Sequence, residues 1–181
     1  MDNFTLASLI RRVANGDLES LEKIFYEMKD NIFSFVLMYA NDRQLAEDIL
    51  QETMLQLVNS CKNFKRSENP KAWILTIARN NTVSYLRKTN RETNLTENIT
   101  ETLQDNSQEN DMADNLNAQS ILSSLTIEQR EVVVLHVISG LKHKEIAKLL
   151  NVPLGTICWR YNESIKKLKQ FTYNRVKEKL I

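Results

Sequence analysis

Residues 92–117, ETNLTENITETLQDNSQENDMADNLN, carry seven acidic side chains, no basic one and few apolar residues. A segment of that composition cannot bury enough apolar surface to offset the entropy of ordering its chain. It divides the protein into two folding bodies, residues 1–91 and 118–181, and is itself a linker. Charge divides at the same places. Thirteen basic side chains stand against eleven acidic ones before the linker, and eleven against five after it, so a net charge of +1 conceals two basic blocks around an acidic bridge. A short helix near residues 111–125 is compatible with the end of the stretch, because Met112, Leu116, Ile121 and Leu122 can dock on the second body.

Only three Gly and two Pro serve 181 residues, of which 42% are hydrophobic. That scarcity of turn formers argues for helices with short connections and against a many-stranded β fold. The expected fold class is all-α, two small helical domains joined by the linker. No apolar run approaches the roughly 20 residues that span a bilayer, and the N-terminal residues lack the order of a signal peptide. A cytoplasmic protein with no membrane insertion of its own is expected. Cys61 and Cys158 lie far apart without a C-x-x-C, which predicts two free thiols rather than a disulfide or zinc site. His136 and His143 are the only histidines. No carboxylate or cysteine set with ligand or triad spacing accompanies them, so neither an enzyme nor a metal or other cofactor is expected.

In the first body, Thr5 precedes a short amphipathic helix that Asn15-Gly16 closes, and Asp17 caps the next run. Leu18, Leu21, Ile24, Phe25 and Met28 keep the helical period, and Ile32, Phe35, Val36 and Tyr39 continue it after a break near residues 29–31. A third helix places Leu45, Ile49 and Leu57 inward and leaves Asp48, Gln51 and Glu52 outside. A polar loop then carries Phe64 among basic residues, and Pro70 opens a further helix. There Trp73, Ile74, Ile77, Ala78, Tyr85 and Leu86 form a broad apolar side, with Arg79, Val83 and Arg87 opposite at i, i+4 and i+8. Residues 62–91 hold eight basic side chains against one acid, Glu68. Such a face either meets a polyanion or is simply a solvated face of a core helix. Trp73 has the same two readings.

In the second body, Thr126 and Gln129 form a capping box, and Gly140 ends the helix they begin. The three consecutive valines within it are poor helix formers, so burial must carry the segment. HKEIAKLL, the break Asn151-Val152-Pro153 and a helix starting near Thr156 then have the pattern of a helix-turn-helix. Ile146, Ala147, Leu150, Val152, Ile157, Tyr161, Ile165 and Leu168 take its inward positions. The start of the second helix is the part of this motif that enters a major groove, which brings Thr156, Cys158, Trp159, Arg160, Asn162 and Glu163 within reach of bases or phosphates. Many helical hairpins share the spacing.

Three blocks, LAEDILQETMLQLVNSCKNF, NPKAWILTIARNNTVSYLRK and LTIEQREVVVLHVISGLKHKEIAKLLNVPLGTICWR, give the chain a family likeness in order, content and spacing. It resembles the extracytoplasmic function (ECF) sigma factors, small promoter-recognition subunits of bacterial RNA polymerase that keep the second and fourth conserved sigma domains. The resemblance implies a factor that binds core RNA polymerase, directs it to promoters and assists their melting. It assigns residues 1–91 to the second sigma domain and residues 118–181 to the fourth. Asp48, Gln51, Glu52 and Leu55 would then meet the clamp coiled coil of the largest polymerase subunit. Phe64, Lys65 and Arg66 in the loop, with Arg79, Asn80, Arg87 and Lys88 on the following helix, would hold the minus-ten element as its strands open. Physically, opening is favoured when one strand lies on a basic groove and an unstacked base enters a pocket.

The helix-turn-helix would read the minus-thirty-five element as duplex through Thr156, Cys158, Trp159, Arg160, Asn162 and Glu163, with Lys166 and Lys167 adding backbone attraction. Cys158, Trp159 and Glu163 stand where the family pattern is largely basic, and Lys142 replaces a usual capping Ser. Glu163 would repel a phosphate, although a carboxylate can accept from a cytosine amino group. The acidic linker is either a nucleic-acid mimic within the polymerase or a plain tether. The resemblance also implies an anti-sigma protein as a partner. The competing expectation is a stand-alone helix-turn-helix regulator, which would bind specific duplex DNA tightly without polymerase.

Overall fold

The computed structural model describes residues 1–40, 42–65, 67–96, 121–122 and 124–178. Most of the linker, residues 97–117, lies outside them, as do Met112, Leu116 and Arg66. The described residues form helices joined by short turns and loops, with no strand among them. Contacts divide the chain into two compact units, Met1–Asp105 and Asn106–Ile181.

In the first unit, α1 (Asn3–Val13) is capped by Asp2, not Thr5: the Thr5 N–H donates to Asp2 Oδ1 at 2.8 Å. Asp, with two acceptor oxygens, also takes the Thr5 hydroxyl at 2.9 Å, so Thr5 is the third residue of the helix. Gly16, at φ +89°, turns the chain. Asp17 then accepts from the Ser20 N–H at 3.1 Å and opens α2 (Leu18–Ala40). α2 is continuous where a break was expected near residues 29–31. Met28 and Ile32, one turn apart, are both fully buried, so the core stripe passes straight under these polar residues and holds the helix together.

Asp42 caps α3 (Arg43–Ser60), and a short 3₁₀ turn, Cys61–Asn63, leads to the loop before α4 (Pro70–Thr96). Asn69 Oδ1 accepts from the Ala72 N–H at 3.2 Å, so the Asn-Pro pair sets the start of α4. α2 and α4 each pack on the other three helices. Leu6, Ile10, Ile24, Met28, Ile32, Phe35, Leu57, Ile74 and Leu75 fill the core, each contributing about 1.5–3 kcal/mol by burial.

The buried stripe of α4 is Ile74, Leu75, Ala78, Asn81 and Thr82. Tyr85, expected in the core, is 45% exposed. Tyr85 lies beyond Thr82, where the buried stripe of α4 ends; none of residues 83–89 is buried. The sequence pattern also missed the polar members of the stripe. Thr82 donates to Ala78 O within its own helix at 2.8 Å, and Asn81 Nδ2 donates to Thr53 Oγ1 on α3 at 3.5 Å.

The second unit begins with α5 (Ile127–Val133), where the capping box is made in both directions: Gln129 N–H to Thr126 Oγ1 at 3.4 Å, and Thr126 N–H to Gln129 Oε1 at 3.2 Å. The helix widens into a π turn over Val134–Ile138. Val134 and Leu135 stay buried there, whereas Val137 and Ile138 emerge by 61% and 49%. After Gly140, at φ +69°, come α6 (His143–Leu150), a left-handed Asn151 at φ 55°, and α7 (Leu154–Glu178). α7 starts two residues before the expected Thr156 because the Pro153 carbonyl already accepts from the Thr156 and Ile157 N–H groups. Leu125, Val132, Leu135, Leu141, Ile146 and Ile157 make the core of the unit.

Candidate nucleic-acid interface

α3 has two chemically opposite sides. Leu45, Ala46, Ile49, Leu50, Thr53, Met54 and Leu57 are buried, while Asp48, Gln51, Glu52 and Leu55 are all exposed, Leu55 by 62%. Val58, one turn beyond Leu55, is 38% exposed. An apolar knob amid acids and amides suits a basic partner with an apolar recess.

The loop and α4 present the opposite charge. Lys65 is exposed, and its N–H donates to Glu68 Oε2 at 3.3 Å, which closes a tight turn. Phe64, expected to offer its ring to a base, is 9% exposed and packs on half-buried Trp73 with ring centroids 5.2 Å apart. A ring beside another large ring gains more by burial than by exposure in the free chain. On α4, Asn80, Arg87 and Lys88 are exposed and Arg79 is half-buried. At 100° per residue Arg79, Val83, Arg87 and Asn80 cover an arc of about 100° turned away from the buried stripe. Lys71 lies apart from this arc. Its Nζ is 3.5 Å from Glu27 Oε1, the oxygen that also takes the Met1 ammonium at 2.8 Å. The ammonium's hydrogen bond first, and Lys71 less strongly, hold the Glu27 carboxyl below its ordinary pKa against the effect of burial.

On α7 the predicted contact residues separate. Trp159 is 61% exposed, Asn162, Lys166 and Lys167 are exposed, and Thr156, Arg160 and Glu163 are half-buried. Glu163 Oε1 accepts from Lys166 Nζ at 2.7 Å, and Lys167 Nζ donates to Gln129 Oε1 at 3.1 Å. Cys158, expected to point outward, is half-buried with Sγ 3.6 Å from His143 Nδ1. A thiol beside an imidazole finds a partner that solvent-facing neighbours do not offer. Cys61 is buried, and both thiols are free. Lys142 precedes α6 without a side-chain cap, since an ammonium has no acceptor. Glu145 supplies the other half of the pairing, accepting from the Lys142 N–H at 2.8 Å.

Beneath α7 lie groups that the sequence did not single out. The rings of His136 and His143 are 4.6 Å apart, and each is 4.8 Å from Tyr161. His136 Nδ1 lies 2.8 Å from the Leu141 carbonyl, which can only accept, so the proton is on Nδ1. Burial first, and His136 second, push the His143 pKa below its ordinary value. Glu131 on α5 is 5% exposed. Burial raises its carboxyl to about 7, against a smaller downward pull from Arg160. Nothing in the string QREVVV marks this Glu as buried; helical spacing from Leu135 was the one available signal.

Residues 25–92 match the Sigma-70 region 2 family and residues 116–162 the Sigma-70, region 4 family, together more than half of the chain. The ECF RNA polymerase sigma factor SigC of Mycobacterium tuberculosis is 26% identical over 158 residues, covering 86% of this chain and 85% of SigC. The chain is an ECF sigma factor of the sigma-70 family. It belongs with non-enzymatic initiation factors that bind RNA polymerase and take it to specific promoters. SigW of Bacillus subtilis is also 26% identical, over 174 residues, with 89% of this sigma factor and 93% of SigW covered. Two solved structures share the fold, each with a TM-score of 0.70. CnrH, solved with the cytosolic domain of CnrY, is 17% identical and covers 94% of this chain and 98% of its own. Sigma factor RpoE of Bartonella quintana, solved with the anti-sigma factor NepR, is 24% identical with coverages of 84% and 96%.

Proposed function

We propose that this ECF sigma factor divides its work by unit. Residues 1–91 dock on core polymerase through Asp48, Gln51, Glu52 and Leu55 and hold the opened minus-ten strand with Lys65, Arg66, Arg79, Asn80, Arg87 and Lys88. Phe64 joins them by leaving its packing on Trp73. Residues 118–181 meet the minus-thirty-five duplex along α7, and residues 92–117 tether the two. The reading has one main support: a single unit carries an exposed acid-and-leucine side on α3 and, on α4, a separate basic arc in which Arg87 and Asn80 are exposed and Arg79 half-buried. One face suits a protein and the other a polyanion. The chain itself performs no catalysis, acts in the cytoplasm with the polymerase, and is held in check by an anti-sigma partner, as NepR partners the Bartonella factor.

The test is transcription in vitro with core RNA polymerase and a promoter library, with the chain added or omitted. Initiation from a specific set of promoters only when it is present is the expected result. Retardation of duplex DNA by the chain alone, without any gain in initiation, would overturn the reading in favour of a stand-alone regulator.

A further inference from the structure

The outward arc of α7 is chemically unusual for a helix that meets a major groove. At 100° per residue, Gly155, Trp159, Asn162 and Lys166 fall within about 60° of one another. A Cβ added at Gly155 would meet no atom within 4 Å, so the protein leaves this end of the helix open. Trp159, one turn on, is 61% exposed, and Asn162 is exposed after it. Lys166 is engaged by Glu163 at 2.7 Å, and Cys158 is turned to His143. Arg160 lies about 140° round the helix from Gly155, where its charge acts on Glu128 and Glu131. The first two turns of the arc hold an indole and a carboxamide, with no guanidinium.

These groups discriminate between bases. Guanine is read by Arg or Lys donors to O6 and N7, adenine by a carboxamide at N6 and N7, and thymine by apolar contact with its C5 methyl. An indole offers a broad apolar face and one donor, with no acceptor. Glu163, the one carboxylate here and the usual partner of a cytosine amino group, is held by Lys166. Trp159 and Asn162 are separated by a rise of about 4.5 Å, close to one base-pair step of about 3.4 Å.

Resting on the assignment of α7 to duplex promoter DNA, we infer that Trp159 and Asn162 are the specificity-determining pair for the upstream element. They select A·T at two neighbouring positions, Trp159 by covering a thymine methyl and Asn162 by pairing with N6 and N7 of adenine.

The experiment uses holoenzyme reconstituted from the full chain and core RNA polymerase, with templates randomised over the upstream element. A·T pairs should be enriched about tenfold over G·C at two adjacent positions. Replacing thymine by deoxyuridine in the selected element removes only the methyl groups, and initiation by the native chain should fall about fourfold. Trp159→Ala should initiate equally from both templates. Asn162→Ala should lose the adenine preference and keep the methyl dependence. The uracil comparison needs no variant, so it stands even if a substitution disturbs folding. Enrichment of G·C at these positions, or equal use of thymine and uracil templates by the native chain, overturns the inference while α7 remains a duplex-binding helix. Initiation indifferent to the whole upstream element removes the assignment of α7, and the inference with it.

Discussion

The two units treat ionisable groups differently. Among the described residues, the buried polar side chains of the first unit are Ser20, Thr53, Asn81 and Thr82, all neutral. Its carboxylates with lowered pKa, Asp2, Asp17, Glu19 and Glu27, lie toward the surface against hydrogen-bond donors. The second unit buries Glu131 and stacks both imidazoles of the chain under α7. Glu131 is raised from 4.5 to about 7, so the folded state holds its proton longer than the unfolded one, and stability falls as pH rises through that window. His143 is lowered from 6.5, so stability falls as pH drops below 6.5. The second unit is thus bounded on both sides by groups that the first unit lacks in its described core.

The substitution that tests this contrast hardest is Glu131→Gln, which keeps the shape and removes the ionisation. At pH 8 the variant should be more stable than the native chain by up to about 3 kcal/mol, the equivalent of the full rise in pKa. The gap should close as pH falls toward 4.5, and unfolding of the first unit should not change. Urea unfolding followed by Trp159 fluorescence, in a Trp73→Phe background, measures it. A gap independent of pH, or a less stable variant at pH 8, would break the contrast.

α4 and α7 differ in a second way. Residues 69–91 contain no acid, whereas on α7 Lys166 is paired with Glu163 and Lys167 with Gln129. Charge should therefore matter more on α4. Arg79→Ala with Arg87→Ala should weaken open-complex formation about 25-fold near 0.1 M salt, the counterion-release equivalent of two single-strand phosphate contacts. Binding to core polymerase should be unchanged. Filter binding of open complexes and fluorescence titration with core polymerase separate the two, and an equal loss in both would remove the role given to α4.

Helical period made most of the fold legible in the sequence. Ile24, Met28, Ile32 and Phe35 recur at core spacing and are fully buried, and Thr126, Gly140 and Asn151 mark ends that local backbone chemistry fixes. Where period failed, a tertiary fact decided. The buried stripe of α4 ends at Thr82 and leaves Tyr85 exposed, the adjacent Trp73 draws Phe64 inward, and His143 draws Cys158 inward, although these last partners are close in space and not in local pattern. The acid face of α3 was legible because its exposed residues alternate with apolar ones. The His136–His143–Tyr161 cluster was not, because it gathers residues from three elements, none of which signals the others.

The smallest expected effect sharpens the comparison most finely. Lys166 is paired with Glu163 at three-residue spacing on an exposed surface, where such a pair is worth about 0–1 kcal/mol. Lys166→Ala removes a cation from the outward side of α7 and uncovers an anion beside it, two changes of the same sign toward phosphate. Initiation from templates with the upstream element should fall about threefold to fivefold near 0.1 M salt, and by less at higher salt as screening shortens the reach of both charges. Glu163→Gln alone should raise initiation slightly by releasing Lys166, and the double variant should return to within about twofold of the native chain. If the double variant is as weak as Lys166→Ala, the lysine itself touches phosphate and Glu163 is a bystander. Recovery would instead mean that Glu163 holds Lys166 in check, leaving Trp159 and Asn162 to choose the sequence while α4 supplies the charge.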